Sequence, residues 1–447
     1  MLDFTAEIYR EHLEEASSLY EQRLSRMDSP EGSWMALQDL EERMESHVDA
    51  LMAGEDLAHG VCRTQASEGE AGELHAAVRV FCRQNQMDLL REVLRGLDPD
   101  QGERMKAAID AVKDELPVGW DHEVIQMLSG EERKPVLIAA EVAGYRRLPA
   151  GSELLRALER KDPETAPILI WALGRLSERN ASAWLSDHFA AKEDESLRFF
   201  SALALLRMGE PQILDQCSRL ASTQNWPTLL LGLGGDRSSV PFLLEKSSQD
   251  EEGLNGSFAL GLLGDISAIE PLLSHLVEPK MAESSALALN LITGAEIYEE
   301  AFIPEEIDED ELFEEEREKF KQGQVPTRLD GKPFGITITR LSQNSDEWHK
   351  WWSKNRSLFK HDVRYRNGRP YSPACLLENL ESEKSPRRIR KFAYEELVIR
   401  YGVDFPFETD MPVAQQKKVL GDMAKWVQAS TGRFREGAWY FAGQLIS

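Results

Sequence analysis

The sequence predicts an all-α protein built as an elongated solenoid of two-helix units, with helices capping its N-terminal end and a small irregular, β-containing insertion toward its C-terminal end. Three observations carry this expectation. A leucine-proline-x-glycine turn recurs 32 residues apart, at residues 116–128 (LPVGWDHEVIQML) and 148–158 (LPAGSELLRAL), each time with an amphipathic helix behind it. Each turn also follows an apolar helix, AAIDAVKDE before Leu116 and LIAAEVAGYRR before Leu148. The ends of such second helices then fall near Arg147, Ser177, Gly209, Gly235, Gly264 and Gly294, at intervals of 30, 32, 26, 29 and 30 residues, which suits a stacked two-helix repeat.

Before the repeats, Leu37, Leu40, Met44, Val48 and Leu51 recur at three- and four-residue spacing, and Ile8, Leu13, Ala16, Tyr20 and Leu24 follow a looser version. Two amphipathic helices are expected there, covering apolar surface that an uncapped array would leave in water. Within the array, Ser129 and Glu132 have the spacing of a capping box, and Asp162-Pro163 places a cap before a residue that needs no amide donor. The segments GDRSSVPFLL (235–244) and GDISAIEPLLSHL (264–276) share one grammar: glycine ends a helix, aspartate opens the turn, and proline sits in the first turn of the next helix. Stretches such as SALALL (201–206) and SFALGLL (257–263) are apolar around most of a helix circumference, as expected between neighbouring units.

These residues resemble HEAT-like repeats of the bilin-lyase type, in which an alanine-leucine-rich second helix, a glycine-aspartate turn and a proline-leucine-leucine first helix recur. That resemblance covers about residues 86–295 and implies a HEAT-like right-handed α-solenoid. The wider chain is similar to an uncharacterised proteobacterial HEAT-repeat family, through EIYREHLEEASSLYEQR, LEERMESHVDALMAG, the GEAGE segment, WWSKNRSLF and RYRNGRPYSPACLLENL. The wider resemblance implies neighbours linked to type VI secretion and no assigned activity. The acidic insertion departs from the family pattern, so the resemblance carries no role for it.

After Gly294 the periodicity stops, and residues 296–318 hold thirteen acidic residues against one basic residue, Arg317. Such charge density predicts a solvated insertion, because like charges extend the chain; Asp308 and Asp310 lack the glycine and glutamate spacing of a calcium loop. Ile336 and Ile338 alternate with Thr337 and Thr339, and Asn367-Gly368 separates RYR from RPY, so a small β element is expected, with Pro370 confined to an edge. Residues 373–402 read as one further helical pair with which the array resumes, and 413–447 as its closing segment. The expected organisation is therefore 1–85 capping helices, 86–295 repeat array, 296–345 acidic insertion with a β segment, and 346–447 C-terminal helical region.

Composition narrows the function. Hydrophobic residues make up 42% and charged residues 29% of 447, which fits a folded chain. The net charge, 52 minus 78 or −26, disfavours binding to nucleic acid or an anionic membrane and favours a protein partner, a basic toxin among them. The N-terminal stretch is too charged for a signal peptide and no apolar run is long enough to span a bilayer, so a cytoplasmic protein is expected. Cys62, Cys82, Cys217 and Cys375 lack a metal-ligand spacing and read as reduced thiols, Cys62 and Cys82 as small buried hydrophobes. His122-Glu123 is the only His-Glu pair, Gly232-Leu233-Gly234-Gly235 lacks the following lysine of a phosphate loop, and no serine occupies a nucleophile elbow. No catalytic residue, metal or cofactor is therefore assigned.

The candidate recognition residues are Trp348, Trp351 and Trp352 with Arg364, Arg366, Arg387, Arg388 and Arg390. Aromatic rings with arginines combine apolar area and directional donors, whereas tryptophans at this helical spacing more often form a core stripe. One reading has the acidic insertion folding back over the five arginines. The leading function is a cytosolic protein-binding scaffold or adaptor, within a bacterial secretion or toxin system if the resemblance holds and including an immunity protein. The alternative is an enzyme or enzyme subunit resembling bilin lyases. Partner identity, binding face and oligomeric state stay open.

Overall fold

The computed structural model describes residues 2–446 apart from 30–31, 99, 161, 191–193, 222, 250–253, 306–316, 319, 321–326 and 328–332. The described residues are mostly helical. In chain order the helices are α1 (Leu2–Asp28), α2 (Leu37–Ala53), α3 (Glu55–Glu68), α4 (Ala71–Arg83), α5 (Met87–Gly96), α6 (Gly102–Glu115), α7 (Asp121–Met127), α8 (Arg133–Arg146), α9 (Gly151–Leu158), α10 (Ala166–Arg175) and α11 (Ser182–Ala190). They continue as α12 (Glu195–Arg207), α13 (Gln212–Leu220), α14 (Pro227–Gly234), α15 (Val240–Gln249), α16 (Leu254–Leu263), α17 (Ile269–His275) and α18 (Pro279–Thr293). After the antiparallel ribbon β1 (Tyr298–Pro304) and β2 (Gly335–Leu341) come α19 (Ser345–Asn355), the hairpin β3 (Tyr365–Arg366) and β4 (Arg369–Pro370), α20 (Pro373–Glu381), α21 (Arg387–Tyr401), α22 (Val413–Ala429) and the hairpin β5 (Tyr440–Phe441) and β6 (Gln444–Leu445). No helix among the described residues is long and apolar enough to cross a membrane.

The even-numbered helices from α4 to α18 form a row in which each packs on the next, and α7, α9, α11, α13, α15 and α17 each pack on the helix that follows. Small residues set the spacing. A Cβ on Gly174 would lie 2.9 Å from that of Ala204, one on Gly232 2.9 Å from the Ala259 backbone, and one on Gly261 2.7 Å from the Ala288 backbone. The alanine-glycine-leucine runs thus bring α10 to α12, α14 to α16 and α16 to α18 at close range, while their leucines fill the space between helices.

The expected helix ends fall within two residues of the observed ones. Arg147, Ser177, Gly209, Gly264 and Gly294 all have positive φ, the left-handed conformation that stops a helix. Gly235 does not; it is extended, at φ −68° and ψ 176°, and it closes the shortest interval. Asp236 and Asp265 accept hydrogen bonds from Ser238 and Ser267 and open a short 3-10 turn before α15 and α17, as the shared grammar predicts. The capping box expected at Ser129 is not used: α8 starts at Arg133 with Glu132 as its N-cap. A capping box does start α4, between Glu70 and Glu73.

Two expectations for the C-terminal half need correction. Part of the acidic insertion is strand: Tyr298–Pro304 pairs with Gly335–Leu341, and Glu299 is tolerated because its cross-strand partner is Arg340, whose Nε lies 2.9 Å from the carboxylate. The rest of that expectation, at 306–316, lies outside the described residues, Asp308 and Asp310 included. The pair α20–α21 packs against α12 and α14 rather than extending the row beyond α18 as its next unit. The Asn367-Gly368 hairpin forms as expected, with Pro370 on the short strand β4. A second hairpin, with Ala442 and Gly443 at positive φ in its turn, lies within the segment expected only to close the array.

Both hairpin turns do the same work. Asn367 and Gly368 donate their backbone N–H groups to the carbonyls of Leu291 and Ile292 at the end of α18, at 2.7 and 3.0 Å. Ala442 and Gly443 donate to Ile399 and Arg400 at the end of α21, both at 2.8 Å. Positive φ at two successive residues turns both donors toward one helix end. Gly294 accommodates the first contact, since a Cβ there would sit 2.5 Å from the Asn367 carbonyl. Gly294→Ala is therefore expected to cost about 1–3 kcal/mol in urea unfolding, whereas Gly60→Ala, in open space within α3, should stabilise by roughly 0.5–1 kcal/mol.

Candidate functional site

Helix α21, RRIRKFAYEELVIRY, is charged at nearly half of its positions, yet its second half is buried. Its carboxylates meet arginines that end the helices of the row. Arg175 is the last residue of α10 and Arg207 the last of α12, where the negative end of each helix dipole favours a cation. Glu395 lies between them, 2.6 Å from Arg175 Nη1 and 2.7 Å from Arg207 Nη1. Arg147, which follows α8, donates to the Tyr394 hydroxyl at 3.1 Å and to Glu408 at 3.3 Å. Burial alone would raise the Glu395 carboxyl, but Arg175 and Arg207 outweigh it and hold its pKa down to about 2.

Farther along the row the polarity reverses. Helices α14 and α16 end without an arginine of their own, and the C-terminal region supplies one. Arg400 donates to the carbonyls of Gly232 and Gly235, each at 3.0 Å. Arg364 donates to Leu263 and Leu262 at 2.7 and 2.8 Å, and Arg366 also reaches Leu262. Glu396 balances these cations: Arg364 Nη2 donates to it at 2.9 Å, Arg366 pairs with it, and the Tyr371 hydroxyl donates to it at 2.7 Å. Three fully buried guanidinium groups thus share one carboxylate, and burial together with Arg400 lowers the pKa of Arg364 to about 10, still a cation at neutral pH.

The predicted recognition residues separate accordingly. Arg364 and Arg366 are buried beneath Glu396, and Arg390 is buried against Trp34, donating to Leu380 at 2.8 Å and Gln416 at 2.6 Å. None of the three is available for a surface contact, and their partners are not in the acidic insertion. Trp348 is also core, its indole donating to the Ser342 carbonyl at 2.7 Å, while Trp351 and Trp352 are half-buried around Phe359. Their surroundings are those of the apolar stripe. Only Arg387 and Arg388 reach a surface groove.

That groove, of about 830 Å³, lies where the start of α21 faces α8, α10 and α12 and the end of α1. Trp171, Phe200, Phe392 and Ile168 supply half-buried apolar surface. Arg387 is paired with Asp28 and donates to Thr409. Arg388 lies over the Phe258 ring at 4.1 Å and, like the exposed Lys391, makes no ion pair among the described residues. Lys391 belongs to the basic cluster of residues 384–391 in the sequence, whereas the tryptophan and phenylalanines of the groove floor carry no local signal, because the floor is assembled from three helices far apart in the chain.

A small cavity of about 40 Å³ lies among Tyr20, Arg23, His75, Arg79, Asp110 and Lys113, large enough for water only. Burial, then Arg79, pushes the His75 pKa well below its usual value, so the ring is neutral and stacks on Tyr20 at 4.0 Å. Among the described residues no three His, Cys, Asp or Glu side chains converge as metal ligands. The four cysteines are buried, and burial pushes the thiols of Cys62, Cys82 and Cys217 up to about 12. His122 and Glu123 are neighbours at 3.3 Å, with Glu123 paired to Arg91. No family model matches the chain, and no curated protein is significantly similar to it.

Removing the Glu395 charge leaves two buried arginines facing each other. Glu395→Gln is expected to lower stability by about 3–5 kcal/mol at neutral pH, read from urea unfolding. In the wild type the Glu395 contribution, roughly 3 kcal/mol, is fully present above the ordinary carboxylate pKa and is lost as pH falls from 4.5 toward 2, because the folded-state pKa lies below the unfolded one. The variant should lack this limb of the pH–stability curve.

Proposed function

We propose that the chain is a protein-binding scaffold whose helix pairs form a right-handed HEAT-like solenoid, with the C-terminal region laid along the helix ends of the array. The repeated pairing from α7 to α18 and the recurring glycine-alanine contacts support the architecture. The observation that carries the function is the groove beside α21: aromatic floor, arginine and lysine at its edge, and no convergent catalytic or metal-binding set among the described residues. Aromatic side chains beside cations supply most of the binding energy in protein interfaces, through apolar area and directional donors acting together. No observation favours a bilin-lyase-like enzyme.

Two measurements test this reading. Small-angle scattering should give a radius of gyration above the roughly 22 Å of a compact chain of this length; a value at or below that removes the solenoid. Affinity capture from native lysate should recover a stoichiometric protein partner with the wild type and lose it with Trp171→Ala/Phe200→Ala, circular dichroism being unchanged. Retention of a chromophore in place of a protein would transfer the case to an enzyme.

A further inference from the structure

We infer that the groove beside α21 takes an acidic segment of a partner protein, one that presents two carboxylates next to a bulky apolar side chain. The inference rests on the protein-binding reading and specifies its ligand chemistry. Three donors in the groove are unused. Arg388 and Lys391 have no ion pair within 4.0 Å among the described residues, Glu283 acting on Arg388 only at longer range, and the Trp171 indole N–H has no hydrogen-bond partner there. Every other cation at the groove is already matched: Arg387 by Asp28, Lys113 by Glu141 at 2.9 Å, and Arg175 by Glu395 and Glu408.

Position sets the spacing of the ligand. Arg388 and Lys391 are three residues apart on α21, so they project from one helical face about 5–6 Å apart at their Cβ atoms. Phe392, four residues after Arg388, lies on the same face and leads into the floor with Phe200 and Trp171. Two carboxylates near two cations, with an apolar group between them and the rings, would use each of these features. Arg388 is held in place by the Phe258 ring, so less side-chain freedom is lost on binding.

The same charges argue against a polyanion. The chain carries −26 overall, and the carboxylates Asp28, Glu141, Glu408 and Asp410 also line the groove, so a long phosphate backbone running past Arg388 and Lys391 would meet like charge over most of its length. A short acidic segment makes local contact and leaves the rest of the surface alone. Its attraction is a small number of charge-assisted hydrogen bonds, which weaken as salt screens the exposed cations.

The test uses the full chain and fluorescein-labelled peptides, with binding read by anisotropy. The probes are a peptide of alternating glutamate, leucine and phenylalanine, its lysine counterpart, a neutral serine counterpart, polyglutamate and heparin. The acidic-apolar peptide should bind, more weakly as salt rises, and polyglutamate and heparin about tenfold more weakly or not at all. Arg388→Gln/Lys391→Gln should weaken the acidic-apolar peptide about tenfold or more, and Trp171→Phe, which keeps a ring and removes the N–H, by a few-fold. Lys384→Gln, on the exposed turn before α21, should change nothing. The inference is overturned if the double variant binds like the wild type, if heparin or polyglutamate binds as well as the peptide, or if no acidic peptide binds. Binding of the neutral or basic peptide alone, abolished by Trp171→Ala/Phe200→Ala, would overturn the acidic ligand while leaving protein recognition standing. Concentration-dependent dimers of the unliganded chain that the double variant dissolves would replace the partner by a second copy.

Discussion

Helices packed side by side with their C-termini together leave a line of carbonyl oxygens at one edge, and the structure depends on how those oxygens find donors. Each helix has four such groups, and burying one without a partner costs about 1–3 kcal/mol. The chain solves the problem in two ways along one line. At α8 and α10 the arginines of the helices themselves are the donors, Arg147 to the Gly144 carbonyl and Arg207 to that of Gly174 at 3.0 Å, while α21 and the segment after it bring Glu395, Asp404 and Glu408 to Arg147, Arg175 and Arg207. At α14 and α16 the arginines come from the other side, as Arg400, Arg364 and Arg366, with Glu396 to balance them. At α18 the donors are backbone N–H groups of a hairpin turn. Adjacent residues Glu395 and Glu396 stand where one solution gives way to the other.

Buried ion pairs are poor contributors to net stability, since desolvation offsets most of the attraction. Their value here is positional. A hydrophobic contact between α21 and the row would tolerate sliding by a turn, whereas Glu395 can meet Arg175 and Arg207 in one register only. The same register delivers Arg388, Lys391 and Phe392 to the groove, so the network in the interior decides what the surface presents.

The helix ends were legible because they rest on local chemistry. A residue at positive φ stops α8, α10, α12, α16 and α18, and an aspartate opens the turn before α15 and α17, whatever lies around them. The path of the C-terminal region was not legible. Arg364, Arg366 and Arg390 sit in a basic stretch that reads as solvated surface, and nothing in their own neighbourhood marks them as internal. A signal did exist in the repeats: Arg175 and Arg207 end otherwise apolar helices, and the pattern stops at Gly235. Charges recurring at buried helix ends call for carboxylates elsewhere in the chain, and Glu395-Glu396, between apolar residues on α21, supply them. The strand at Tyr298–Pro304 was hidden for a related reason, because the residue that neutralises Glu299 lies across the ribbon at Arg340 and not nearby in sequence.

The C-terminal region touches the chain from Arg23 on α1, whose guanidinium donates to the Asp410 carbonyl at 2.7 Å, to the end of α18. Repeat arrays ordinarily change length by gaining or losing a unit, since each unit meets only its neighbours. The row of helices here carries a fixed gauge along its edge. Inserting a unit between α10 and α16 would push every later helix end one step past its arginine or carboxylate, leaving several buried charges unmatched at once. The number of helices in the row is therefore tied to the C-terminal region that lies along its ends.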